Sequence, residues 1–85
     1  MIKKVKCKLT LDQPATYQLI VPGALDDKWS AWDGVLAVIV ESDSDDLPIT
    51  TMTGVFDQAA LHGLLRRLYS MGLPLISVVY IGCDW

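Results

Sequence analysis

The clearest pattern of apolar and polar positions lies in the second half of the chain, where leucines recur with helical spacing. These leucines are Leu61, Leu64, Leu65 and Leu68. Residues at this spacing share one face of a helix, so the pattern predicts an amphipathic helix whose leucine stripe faces a sheet. Asp57 precedes the pattern as a favourable N-cap, and Gly72 followed by Pro74 ends it.

Short runs of apolar and β-branched residues predict the strands of that sheet. The predicted strands span residues 16–21, 35–40, 49–53 and 75–81, and an additional strand with lysines on one face spans residues 2–10. A second, shorter helix is predicted over residues 26–33, capped by Asp26 and ended by Gly34. Gly54 is expected to end the strand over residues 49–53.

The order of these elements, without the first strand, is strand–helix–strand–strand–helix–strand. With a right-handed crossover in each half, this order predicts an α+β ferredoxin-like β-α-β-β-α-β sandwich with an extra N-terminal strand. That extra strand has three possible places: a sheet edge, an extension of the next strand, or pairing with another subunit. A chain of 85 residues is expected to form a single domain, residues 1–85.

The composition favours self-association. The chain is 52% hydrophobic and only 20% charged. This hydrophobic content is high for a small domain, because small domains expose a larger share of their residues to solvent. We therefore expect a second subunit to cover part of the apolar surface, most simply in a homodimer. A densely packed monomer and a different protein partner are the alternatives.

Charge and hydropathy exclude several other partners. A net charge of −3 argues against nucleic acid, which needs a basic footprint. No apolar stretch approaches the length of a membrane span, and no apolar core of a secretory signal follows the basic start. The expected location is therefore cytoplasmic, and in that compartment Cys7 and Cys83 are expected to be free thiols.

One long segment resembles a known family. It contains Gly54, then Asp-Gln-Ala-Ala-Leu-His-Gly-Leu-Leu at residues 57–65, Gly-Leu-Pro-Leu at residues 72–75, and Ser77-Val78. This pattern, together with an upstream Trp-x-x-Trp helix, resembles a family of small bacterial proteins that has no assigned activity. The resemblance extends over roughly residues 17–80, and it implies a fold without implying a reaction.

No motif indicates catalysis. Nucleophilic catalysis needs a nucleophile held by a base and an orienting group, and neither cysteine has a motif that links it to His62, the single histidine. There is no Cys-x-x-Cys motif and no recognisable metal-ligand spacing. We therefore predict no catalytic residue, no metal site and no cofactor, and favour a non-enzymatic role over an enzyme dependent on His62.

A candidate ligand site combines two aromatic residues with a polar helix flank. Trp29 and Trp32 are three residues apart and share a face of the short helix, while His62 and Arg66 lie on the flank of the longer one. Two tryptophans can line a pocket for a small ligand, and a flank with His and Arg can bind an anion or shuttle a proton. A small-ligand-binding regulatory domain is therefore the alternative function. The simpler interpretation is that the tryptophans anchor the core and the flank faces water.

A candidate interface lies on the helix side opposite the leucine stripe. Ala59, Gly63 and Ser70 form a strip of small residues there, with Arg67 beside it. A mid-helix glycine costs about 0.5–1 kcal/mol relative to alanine, so a close approach of another backbone would explain it. We therefore predict a self-associating interaction or regulatory module, against the alternative of an exposed helix that tolerates one glycine.

Overall fold

The computed structural model describes residues 8–83, which form a small α+β domain with a four-stranded antiparallel sheet and one α-helix. The elements in chain order are β1 (Ala15–Pro22), a 3-10 helix (Asp27–Ala31), β2 (Val35–Ser42), β3 (Pro48–Phe56), α1 (Gln58–Ser70) and β4 (Ser77–Gly82). The strands lie in the order β2-β3-β1-β4, and every neighbouring pair is antiparallel.

Of the two predicted helices, the first is a 3-10 helix of five residues rather than an α-helix, so the described residues contain one α-helix. Asp26 does cap the 3-10 helix, since its carboxylate accepts a hydrogen bond from the Lys28 backbone N–H at 2.9 Å. The Trp32 N–H then donates to the Trp29 carbonyl at 3.1 Å, which is the i to i+3 pattern of a 3-10 turn. Trp32 has extended backbone with a φ of −67° and a ψ of 137°, which ends the helix after five residues.

The predicted N-terminal strand falls mostly outside the described residues. Of its span, residues 2–10, only residues 8–10 are described, and they are not part of a strand. Cys7 also lies outside the described residues. Cys83 is disulfide-bonded, so the expectation of a free thiol is wrong for this residue.

The helix α1 confirms its sequence pattern. The Asp57 carboxylate accepts a hydrogen bond from the Ala60 N–H at 2.8 Å, and at the other end Gly72 has a φ of 76°. In the stripe, Leu61, Leu64 and Leu68 are buried and Leu65 is partly buried. With 13 residues α1 is short, and no helix within residues 8–83 has the length and hydropathy to cross a membrane.

The core lies on one side of the sheet, between α1 and the two central strands. Buried positions alternate along β1 and β3, and the register places them together, as in the pairs Leu19–Met52 and Tyr17–Gly54. This alternation is that of a strand with one face against the core. The leucine stripe packs on this face, and no other helix within the described residues covers the opposite one.

Two glycines allow the ring of Phe56 to pack against the backbone. A Cβ on Gly54 would lie 2.5 Å from the Phe56 ring and 2.6 Å from the Gly34 carbonyl oxygen, and one on Gly34 would meet the same ring at 2.9 Å. The prediction that Gly54 ends its strand is therefore wrong. β3 continues through Gly54 to Phe56, and the glycine is needed for a close approach rather than for a turn.

Thr50 is the only buried polar residue in the described part of the chain, and it holds the loop that leads to the 3-10 helix. Its hydroxyl donates a hydrogen bond to the Gly23 carbonyl at 2.7 Å and accepts one from the Leu25 N–H at 2.9 Å. Because this buried hydroxyl both donates and accepts a hydrogen bond, it connects β3 to the loop after β1.

Replacing Gly54 by alanine is expected to destabilise the protein, because the new methyl group would overlap Phe56 and the Gly34 carbonyl. The expected loss of unfolding free energy is about 1–3 kcal/mol, measured by urea denaturation. Gly63→Ala is the matched control, since its Cβ meets nothing within 4 Å. That control should stabilise the helix by about 0.5–1 kcal/mol, and equal effects of the two substitutions would contradict the assigned packing.

Thr50→Val is expected to lower the unfolding free energy by about 1–3 kcal/mol, because it leaves the Leu25 N–H without its acceptor. Thr51→Val is the matched control on the opposite sheet face, where the threonine is only partly buried. The control should change stability by less than about 0.5 kcal/mol. Urea denaturation of both variants checks this, and a neutral Thr50→Val would show that the hydroxyl does not hold the loop.

Candidate functional site

A cleft of about 320 Å³ lies between the 3-10 helix and the C-terminal end of α1. We call it the tryptophan cleft, and it is lined by Asp26, Lys28, Trp29, Trp32, Arg67 and Met71. Its volume falls at the low end of the range of about 300–1,000 Å³ found for small-molecule sites. Apolar walls with a few charged groups at the margin are typical of such sites.

The aromatic wall of the tryptophan cleft is a stacked pair of indoles. The ring centroids of Trp29 and Trp32 are 5.8 Å apart, with an angle of 29° between the ring planes. Trp29 is only 8% exposed and belongs to the core, whereas Trp32 is partly buried. Trp32 is the C-cap residue of the 3-10 helix, and its N–H donates to the Trp29 carbonyl at 3.1 Å, which brings the two rings to the same side of the turn.

The charged margin of the cleft contains two cations and one carboxylate. Lys28 and Arg67 are exposed, and within residues 8–83 neither side chain has a hydrogen bond or an ion pair. The Asp26 carboxylate already accepts the Lys28 backbone N–H as the cap of the 3-10 helix. With two cations and one carboxylate, the cleft lining has a net positive charge of one beside an aromatic surface.

The predicted ligand-binding residues divide into two groups. Trp29 and Trp32 both line the cleft, and ligand binding by them stays a prediction. His62 and Arg66 are exposed on α1 and are not among the cleft-lining residues. The helix contributes Arg67 instead, because that residue lies in the last turn beside the 3-10 helix.

Sequence reasoning did not assign four of the six cleft-lining residues, Asp26, Lys28, Arg67 and Met71, to this site. Arg67 was assigned to an interface, Asp26 to capping alone, and Lys28 to no role. A usable signal was present, since Asp26 and Lys28 immediately flank Trp29 and the resemblance already singled out the tryptophan pair. The position of Arg67 depends on how α1 packs, which the sequence pattern does not specify.

The predicted interface strip lies on the outer surface of α1. Ala59, Gly63, Arg67 and Ser70 are all exposed, and the space around Gly63 is open. Its openness is compatible with contact to another chain, and an interface at this strip stays a prediction.

Possible metal-ligating side chains are not grouped together in the described part of the chain. Within residues 8–83, no group of three or more His, Cys, Asp or Glu side chains is placed to hold a metal ion. His62 is exposed on α1.

A comparison with family models matches residues 16–79 to a domain of unknown function, DUF8691. The chain belongs to this family. The family domain begins in β1 and ends in β4, so it contains the whole tryptophan cleft and α1. No curated protein and no solved structure matches the chain. The narrower signature around residues 54–78 stays a prediction.

Trp29→Ala is expected to destabilise the protein more than Trp32→Ala, because Trp29 is buried in the core and Trp32 borders the cleft. A loss of about 3 kcal/mol or more is expected for Trp29 and at least about 1 kcal/mol less for Trp32. Urea denaturation followed by far-ultraviolet circular dichroism avoids dependence on tryptophan emission. Equal losses would contradict the distinct roles of the two rings.

Proposed function

We propose that this protein is a non-enzymatic interaction module that forms a homodimer through the outer edge of β2. The observation that carries the proposal is an edge strand with large apolar side chains exposed along it. This proposal keeps the self-association expected from the composition, and it places the contact on the sheet rather than on α1.

The strand β2 lies at one end of the sheet and pairs only with β3 in the described part of the chain. Leu36 is 69% exposed, Ile39 53% and Val40 47%. Edge strands usually discourage pairing with lysine, proline or short length, yet β2 has eight residues and neither residue type. An unprotected apolar edge of this kind favours pairing with another strand.

The exposed residues of β2 point to both faces of the sheet. Ile39 pairs with Thr51, on the face that no helix covers, whereas Val40 pairs with the buried Thr50, on the helix side. A partner that covered only one face of the sheet would leave either Ile39 or Val40 exposed. Strand addition at the edge would shelter both, and it would also pair the outer backbone groups.

Antiparallel pairing of β2 with a second copy is self-complementary under a two-fold axis. The one charged residue in the strand is Glu41. Pairing centred on Ile39 would place Glu41 across from Ala37 of the second copy, so the two carboxylates would not face each other. Two four-stranded sheets would then form one continuous sheet.

The outer surface of α1 is the competing interface. Gly63 leaves room for a close approach there, but Arg66 and Arg67 are both exposed on the same helix. Burying either guanidinium in a contact without a partner carboxylate would be costly, which disfavours this surface. The apolar edge of β2 has no such cost.

We further propose that the fold is a reduced ferredoxin-like arrangement. The support is the strand order β4-β1-β3-β2 with antiparallel neighbours, and the position of the 3-10 helix between β1 and β2. A cytoplasmic location stays a prediction, and the disulfide at Cys83 weighs against it, because the cytosol keeps most thiols reduced.

Light scattering across a concentration series tests the interface. The wild-type protein is expected to show a molar mass that rises toward that of a dimer, and Ile39→Lys should return it to the monomer. Lysine at an edge strand disfavours pairing because its charge would be buried. Val79→Lys is the matched control, since Val79 is 44% exposed on the edge strand at the other end of the sheet.

The same experiment separates the competing interfaces. Dissociation by Val79→Lys alone would move the contact to β4, and dissociation by Gly63→Arg alone would move it to α1. A wild-type monomer at every concentration would reject the homodimer. Circular dichroism of each variant confirms that the substitutions leave the fold intact.

A further inference from the structure

We propose that the tryptophan cleft binds a small aromatic carboxylate. This site is separate from the β2 edge, and the proposal does not require the protein to be a dimer. It rests on the juxtaposition of the stacked indoles with the two cations at the cleft margin.

The aromatic part of the ligand is expected to contact the indoles. Trp29 is buried in the core and Trp32 is stacked on it at a centroid distance of 5.8 Å, so the aromatic surface is already formed before binding. Met71, which is 50% exposed, supplies an adaptable thioether on the opposite wall. Flat apolar groups bind such walls by burial and stacking, at little entropic cost to the protein.

The charge at the cleft margin selects an anion. Arg67 and Lys28 line the cleft, and within the described residues neither cation is neutralised by an ion pair. An arginine guanidinium can donate two parallel hydrogen bonds to a carboxylate, which gives direction as well as attraction. An aromatic ring that carries a carboxylate could therefore contact the indoles and pair with the cations.

A cationic ligand fits the same cleft less well. Stacked tryptophans also attract cations, but that mode would need the Asp26 carboxylate as a counter-charge. One oxygen of Asp26 is already engaged by the Lys28 backbone N–H, and the two cations outnumber it. The balance of charge at the margin thus favours the anion.

The test is a titration with 2-naphthoate, with the neutral 2-naphthamide as its isosteric control. Binding is followed by the indole N–H resonances in two-dimensional nuclear magnetic resonance spectra of the full chain at low ionic strength. Trp29 and Trp32 should shift in a saturable way, and the amide should bind about threefold to fivefold more weakly. Repeating the titration with Ile39→Lys separates cleft binding from self-association.

Two neighbouring arginines provide the decisive pair of variants. Arg67→Gln should weaken 2-naphthoate binding by about threefold to fivefold, whereas Arg66→Gln, which changes an exposed residue outside the cleft, should not. Equal affinity for the acid and the amide would overturn the anion preference. Equal effects of the two arginine variants would overturn the role of Arg67, and absence of saturable shifts at Trp29 and Trp32 would overturn the site.

Discussion

The whole structure depends on one apolar layer, which forms where the leucine stripe of α1 meets the buried face of β1 and β3. Leu64, Leu19 and Met52 are fully buried in this layer. Because the domain has only one such layer, every other feature is attached to its margin. The 3-10 helix adds Trp29 to one side of it, and β2 extends the sheet beyond the area that α1 covers.

Two local interactions connect the apolar layer to the proposed binding surfaces. The hydroxyl of Thr50 fixes the loop before the 3-10 helix, which sets the position of the indole pair relative to α1. The close approach at Gly34 and Gly54 lets β2 begin beside Phe56. The same strand β3 supplies Thr50, Gly54 and Phe56, so a change in its register would disturb the cleft and the edge strand together.

Local patterns predicted the elements well, because caps and periodicity depend on nearby residues. The Asp57 cap, the leucine stripe and the Gly72 stop are all present. The errors arise where contacts between residues far apart in the sequence determine the structure. Phe56 explains why a strand continues through Gly54, and the packing of α1 explains why Arg67, rather than Arg66, reaches the tryptophans. The apolar run of β2 is as consistent with a covered strand as with an edge, and only the sheet order distinguishes them.

The central position of β1 also constrains the order in which the chain can fold. β1 comes first among the strands but pairs with β3 and β4, which include the last residues of the sheet to leave the ribosome. The β2–β3 hairpin is local and can form during synthesis, whereas β1 must wait for it with an unpaired apolar face. The pairing of β1 with β3 and β4 is therefore long-range, and we expect it to form more slowly than the β2–β3 hairpin.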